Sequence, residues 1–168
     1  MTNPNTSPLR DEEGNILPAL SAPVPDHYLM LDESQKKDVI LNDDYCIIQH
    51  ENKIDCFIRT YLIQKLLDSP EILEYGVWIS ISQENLIKYL EDGLEENQII
   101  SGYLCTQMYP YENVYQIKMN VIISNENERP ESVPQDYQSQ IKFVNDYYTG
   151  ITKKEALDRV AMIHQNKN

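Results

Sequence analysis

The residues in this chain that could carry chemistry are scattered. Three histidines, His27, His50 and His164, occur singly, whereas nucleophilic or acid–base catalysis needs an activated nucleophile beside a base. The five glycines never form G-x-G-x-x-G or G-x-x-x-x-G-K, so the sequence carries no phosphate-cradling loop. Cys46, Cys56 and Cys105 stand in strand-like segments, at spacings that match neither a C-x-x-C ligand pair nor a disulfide framework. The expectation is three buried free thiols, no metal and no cofactor. Binding is a better expectation than turnover.

Arg59 has the most chemical promise. It lies inside the apolar run Cys56-Phe57-Ile58-Arg59 and, on a strand, shares a face with Phe57 and Tyr61. A guanidinium in such a place needs an acceptor. Asp44 upstream, or an acid on the following helix, would make an internal bridge. The other account is an anion or carboxylate site in a cleft beside Trp78, with Arg129 as a second cation.

Charge narrows the class of partner. Fourteen basic residues against 27 acidic ones give a net charge of −13, which disfavours nucleic acid because phosphate binding requires basic neutralisation. The acids gather at Asp11 to Glu13, at Asp43-Asp44, at Glu91, Asp92, Glu95 and Glu96, and from Glu126 to Glu131. They are either solvated loops and helix ends or a surface that steers a basic partner. Tyrosine is also over-used, 12 against two Phe and one Trp. Tyr109, Tyr111 and Tyr115 cluster about one turn near Glu112 and Glu126, either as a core edge or as a protein-binding patch. The leading expectation is a non-catalytic protein that grips a basic protein through an acidic, tyrosine-rich surface; a toxin-neutralising immunity protein is its most concrete version. The alternative is a small-molecule binding or enzymatic domain with a cleft around Arg59 and Trp78.

These side chains need a scaffold, and 168 residues suit one domain that buries about 70% of the surface of its unfolded chain. Apolar runs are too short to span a bilayer, and Asp11, Glu12 and Glu13 occupy a region where a secretory signal needs an apolar core; a cytoplasmic location is expected. Pro4, Pro8, Pro18, Pro23 and Pro25 make residues 1–25 an extended or disordered arm, with the domain spanning 26–168. Asp32 and Gln35 cap a short helix reaching about Ile40. Strands are expected at Tyr45 to His50, Ile54 to Ile63, Tyr75 to Ile81, Ile100 to Thr106 and Val114 to Ile123, the first two as a hairpin.

Ser82 caps a helix from Gln83 to about Leu94, and Ser69-Pro70-Glu71 suits a single helical turn. Val133, Tyr137, Ile141, Val144 and Tyr148 recur at helical spacing up to Gly150. Thr152 and Glu155 then open a last helix with Ala156, Leu157, Val160, Ala161 and His164 inward. The fold class is α+β: a single domain, mainly antiparallel sheet with flanking helices.

The segments Asp44-Tyr45-Cys46, Phe57-Ile58-Arg59 and Gly76-Val77-Trp78-Ile79-Ser80-Ile81-Ser82 resemble, in order and type, the D-x-C, F-I-R and G-V-W-x-S-x-S segments of a bacterial family, domain of unknown function 2199. The likeness covers most of Asp26 to Ile163 and carries over Asp44, Cys46, Phe57, Arg59, Gly76, Trp78, Ser80, Ser82, Gly102, Pro110, Arg129 and Pro130. Relatives often begin with C-x-x-C-G-x-x-H, resembling half of a zinc ribbon, but Thr2 to Pro25 contains neither Cys nor His. They also carry His-Pro-Leu before the last helix, where this chain reads Ile141-Lys142-Phe143.

Overall fold

The longest alternation in the chain builds its centre. Cys56, Ile58, Thr60, Leu62 and Gln64 are buried on one face of β5 (Ile54–Lys65), and β6 (Glu71–Ile81) answers with Leu73, Tyr75, Val77, Ile79 and Ile81. Antiparallel register from Cys56↔Ile81 to Lys65↔Ile72 brings the two apolar faces side by side. β7 (Ile99–Leu104) pairs with β6 at Ile79↔Leu104 and Ser80↔Tyr103, and then with β8 (Lys118–Ile122). β9 (Glu131–Pro134) continues the antiparallel meander from β8 and returns alongside β5 through the parallel bridge Tyr61↔Glu131. The five strands thus form a closed barrel whose interior is the main core. This is the structure of residues 6–112, 114, 116–125, 127–135 and 140–166, described by a computed structural model.

The seam between β5 and β9 is stitched mostly by side chains. Tyr61 N donates to Pro130 O at 3.1 Å, Thr60 Oγ1 to Ser132 Oγ at 2.8 Å, and Ser132 Oγ to Tyr61 O at 3.5 Å. Between β6 and β7 a glycine sets the spacing: a Cβ on Gly102 would fall 2.5 Å from the Ser80 carbonyl oxygen and into the Ile79 side chain.

A second, smaller core lies on the outer face of the wall. Cys46, Ile48, Phe57, Trp78 and Cys105 pack there, with Ala22, Tyr28, Leu31, Val39 and Leu41 laid over them. Ala22 follows β2 (Leu20–Ser21), Tyr28 comes from α1 (Asp26–Leu29), Leu31 and Val39 flank α2 (Glu33–Lys36) and Leu41 ends β3 (Ile40–Leu41), while Cys46 and Ile48 are the inward residues of β4 (Tyr45–Gln49). β4 forms the expected hairpin with β5, and α2 starts in the expected capping box of Asp32 with Gln35.

The amino-terminal segment departs from the sequence reading. Its β1 (Ser7–Pro8) and β2 run in parallel register beside Glu71-Ile72 and Tyr75-Gly76 of β6, with a tight loop between them closed by the antiparallel bridge Arg10↔Ile16. Leu9 and Leu20 enter the main core, so the packed domain begins well before Asp26. Prolines suppress regular periodicity without preventing an extended segment from covering a sheet edge.

The remaining elements follow the expected order with shifted bounds. Ser82 accepts from Asn85 N to cap α3 (Gln83–Leu90), which ends four residues earlier than its apolar pattern suggested. Pro70 lies in the β5–β6 turn rather than in a helical turn. The helical spacing starting at Val133 is misleading, since Val133 belongs to β9 and α4 spans only Lys142–Thr149; Tyr137 lies outside the described residues. Thr152 caps α5 (Lys153–Gln165) by accepting from Glu155 N, but Ala161 and His164 are exposed, and the side chain buried between Ala156 and Val160 is Arg159. The α+β class holds, with a sheet that is mainly antiparallel and three parallel contacts, β5–β9, β1–β6 and β2–β6.

Candidate functional site

A meander of five strands puts its connections at alternate ends. α3 and the β8–β9 connection share one end, the start of β4 at Asp44-Tyr45 lies near them against Ile58-Arg59 of β5, and between them a groove of about 1200 Å³ runs over the outer face of β5 and β6. Tyr45, Tyr61 and Tyr89 line it with Ile63, Ile72 and Leu94, and its acids are Asp44, Glu74, Asp92, Glu96 and Glu128. Arg129 is the one cation among its described lining residues. Alternation explains the wall: Tyr61 and Ile63 on β5, and Ile72 and Glu74 on β6, are the positions that face away from the barrel core.

The field in this groove is negative. Tyr61 has its phenol held above its usual range by burial and by the charges of Glu131, Glu128 and Glu74. Tyr89 is likewise raised by burial and by Asp44, against the opposing charge of Arg129. Both shifts favour the protonated phenol, a donor with an electron-rich ring face, which suits cationic ligands more than anions.

Asp44 and Arg129, both expected as site residues, meet each other. Arg129 Nε donates to Asp44 Oδ1 at 3.3 Å, and its Nη2 to the Asp43 carbonyl oxygen at 3.3 Å. Arg59 therefore loses the carboxylate partner expected for it. Its backbone N donates to Asp44 O at 2.9 Å, while its guanidinium lies 6.0 Å from the Trp78 ring centroid with Nε buried and unpartnered among the described residues. Burial and then the neighbouring Arg129 depress its pKa, and Asp43 and Asp44 oppose them. The Asp44 side chain projects toward the β8–β9 connection, which sequence separation conceals.

Trp78 does not line a cleft. It is 0% exposed, its Nε1 donates to Ala22 O at 3.0 Å, and its backbone N donates to Thr106 Oγ1 at 2.8 Å. A cleft around Arg59 and Trp78 thus has no accessible indole. Gly76 also has a different role from the backbone angle a glycine suggests: a Cβ there would lie 2.6 Å from Ser21 Oγ, so it admits β2.

The expected tyrosine patch is divided. Tyr109 is partly exposed, with its hydroxyl donating to Met162 Sδ at 3.3 Å. Tyr111 is buried at the opposite end of the barrel from α3. Its hydroxyl donates to Asp146 Oδ2 at 2.7 Å and accepts from Arg159 Nη2 at 2.8 Å. Tyr115 and Glu126 lie outside the described residues. Glu112 is exposed beside a small pocket of about 190 Å³ next to Tyr111. Of the acidic run after α3, Asp92 and Glu96 line the groove, while Glu91 and Glu95 are exposed outside it.

The buried cation that sequence reading missed is Arg159. Only 2% of its side chain is exposed. It bonds Tyr75 Oη at 3.0 Å, Tyr111 Oη at 2.8 Å and Glu155 Oε1 at 2.5 Å, and its guanidinium carbon lies 4.9 Å from the Tyr111 ring centroid. These contacts join α5, β6 and the β7–β8 connection to α4. Burial and the Asp146 bond raise the Tyr111 pKa even against the Arg159 charge, so this phenol is locked as a donor and is no nucleophile.

His50 Nε2 meets Asp55 Oδ2 at 2.8 Å, and the His27 ring packs 5.2 Å from that of Phe57. Among the described residues, no group of three or more His, Cys, Asp or Glu side chains is placed to hold a metal ion. No helix there is long and apolar enough to cross a membrane. The cysteines are free and buried, and burial pushes Cys46 and Cys105 up to about 12, away from thiolate chemistry.

Comparison with curated proteins and with solved structures found no match. The profile of one family matches residues 10–151, a span that includes β2, the groove wall and the Asp44–Arg129 pair. The chain belongs to that family, described as an uncharacterised protein conserved in bacteria, DUF2199.

Proposed function

We propose that this protein is a non-catalytic binding protein whose groove takes a basic segment of a protein partner. The carrying observation is the groove lining, in which, among the described residues, five carboxylates and three tyrosines face a single arginine already paired with one of those carboxylates. Tyrosines supply rigid contact area with a polar tip, and the acids supply long-range steering and rejection of like-charged competitors. With −13 net charge behind it, the field extends beyond the groove and is screened over about 8 to 10 Å at 0.1 to 0.15 M salt. A bacterial toxin with a basic surface is the most concrete partner of this kind, which would make the protein its immunity factor.

Affinity capture from the native host tests this reading, with wild type beside the variant Asp92→Asn/Glu96→Gln/Glu128→Gln. The expected result is a basic protein retained by wild type at low salt, lost from the variant and released as salt rises. An identical retained set on both columns, insensitive to salt, would reject the groove as the binding surface.

A further inference from the structure

We propose that the Asp44 carboxylate and the Asp43 carbonyl at the edge of the groove form a seat for a partner's arginine guanidinium, which Arg129 occupies in the partner's absence. The inference rests on the groove being the binding surface and names the side chain it recognises. Asp44 alone would be only an exposed acid. Its partner makes the difference: Arg129 places Nε and Nη2 on two separate acceptors, each at 3.3 Å, so the two oxygens already receive two donors of one guanidinium fork. An ammonium point charge lacks that spread of donors.

The seat is cheap to vacate. Arg129 and Asp44 side chains are 42% and 61% exposed, and ion pairs exposed to this degree contribute little net stability because water and salt screen them. Tyr89 feels both Asp44 and Arg129 and stands beside the seat as an aromatic neighbour for an incoming guanidinium. Arg129 therefore acts as an intramolecular competitor, and it leaves when a better-placed arginine arrives.

The test is fluorescence anisotropy of the full-length protein with fluorescein-labelled octa-arginine at low salt. Arg129→Ala and Arg129→Gln should each tighten binding about two- to fivefold, the range expected for loss of an exposed competing pair. Lys154→Ala removes the same charge from α5, outside the groove, and should not reproduce that gain. In an Asp44→Asn background the Arg129 substitutions should gain nothing, because the seat is already broken. Thermal melts confirm that every variant is folded. Unchanged or weaker binding by both Arg129 variants overturns the inference, and so does an equal gain from Lys154→Ala. A gain that persists in the Asp44→Asn background also rejects the competitor role. The underlying groove reading fails separately: the triple variant Asp92→Asn/Glu96→Gln/Glu128→Gln would then bind octa-arginine as wild type does.

Discussion

Arg159→Ala should be among the most costly single changes in this protein. The guanidinium makes charge-assisted bonds to two buried phenols, Tyr75 at 3.0 Å and Tyr111 at 2.8 Å, and bonds to a charged group contribute about 1.5–3 kcal/mol each. The acids are not stranded by its loss. Asp146 keeps Lys142 at 2.6 Å and the Tyr111 hydroxyl at 2.7 Å, and Glu155, 41% exposed, returns to water. The expected loss is therefore about 3–5 kcal/mol, within the sum of two such bonds and without the added cost of a bare charge left in the core. For a domain whose total stability is about 5–15 kcal/mol, and with a urea slope of about 2 kcal/mol/M, the unfolding midpoint should fall by roughly 1.5–2.5 M at an unchanged slope. Arg159→Lys keeps the charge but cannot reach both phenols at once, so it should lose most of the same stability. A midpoint shift under about 0.5 M for Arg159→Ala would show that desolvation already cancels these bonds, and the network would not be a clamp.

Three further outcomes follow from the packing and the burial of titratable groups. Trp78→Ala should cost roughly 3–5 kcal/mol in a denaturant melt, since the ring fills the second core and its Nε1 holds Ala22; near-native stability would contradict that packing. Gly102→Ala should lose about 1–3 kcal/mol by overpacking against the Ser80 carbonyl and Ile79, read as a lower melting temperature with unchanged far-ultraviolet dichroism. Stability should decline from about pH 9 upward. Cys46 and Cys105 are raised by burial from 9.0 to about 12, so the unfolded chain releases those protons first and each thiol removes about 1.4 kcal/mol per pH unit across that interval. Urea midpoints at pH 8, 9.5 and 11 measure the decline, and Cys46→Ala/Cys105→Ala should lessen it between pH 8 and 9.5, before the raised phenols of Tyr61, Tyr89 and Tyr111 add their own loss.

How much of this was legible in the sequence depends on the range of the signal. Period-two alternation located β5, β6 and β8, and capping side chains located α2, α3 and α5, because those patterns are set by neighbours along the chain. The seam is different: Tyr61 and Glu131 are 70 positions apart in sequence, and a four-residue strand is too short to establish a period, so Val133 fell in with a helical spacing by coincidence. Arg159 lies on the same stripe as Ala156 and Val160, yet a search for apolar residues at helical spacing passes over a cation. Its position was the available signal. Asp44 and Arg129 were both singled out and their pairing was missed, because charge type says nothing about which distant loop returns to the same place. Leu9 and Leu20, isolated among prolines, gave no periodicity although both reach the core.

The number of barrel strands has a consequence beyond packing. An up-and-down meander with five members reaches its starting neighbour pointing the same way, so closure must be parallel and the chain enters at one rim and departs from the other. The entry rim carries the groove; the exit rim carries α4, α5 and the Arg159 clamp. Odd parity thus puts the mouth of the groove and the Arg159 clamp at opposite poles, with the barrel wall between them. Substitutions at one pole should combine with those at the other as simple sums of free energy, so that, if the groove binds a partner as proposed, its grip can diversify without loosening the fold.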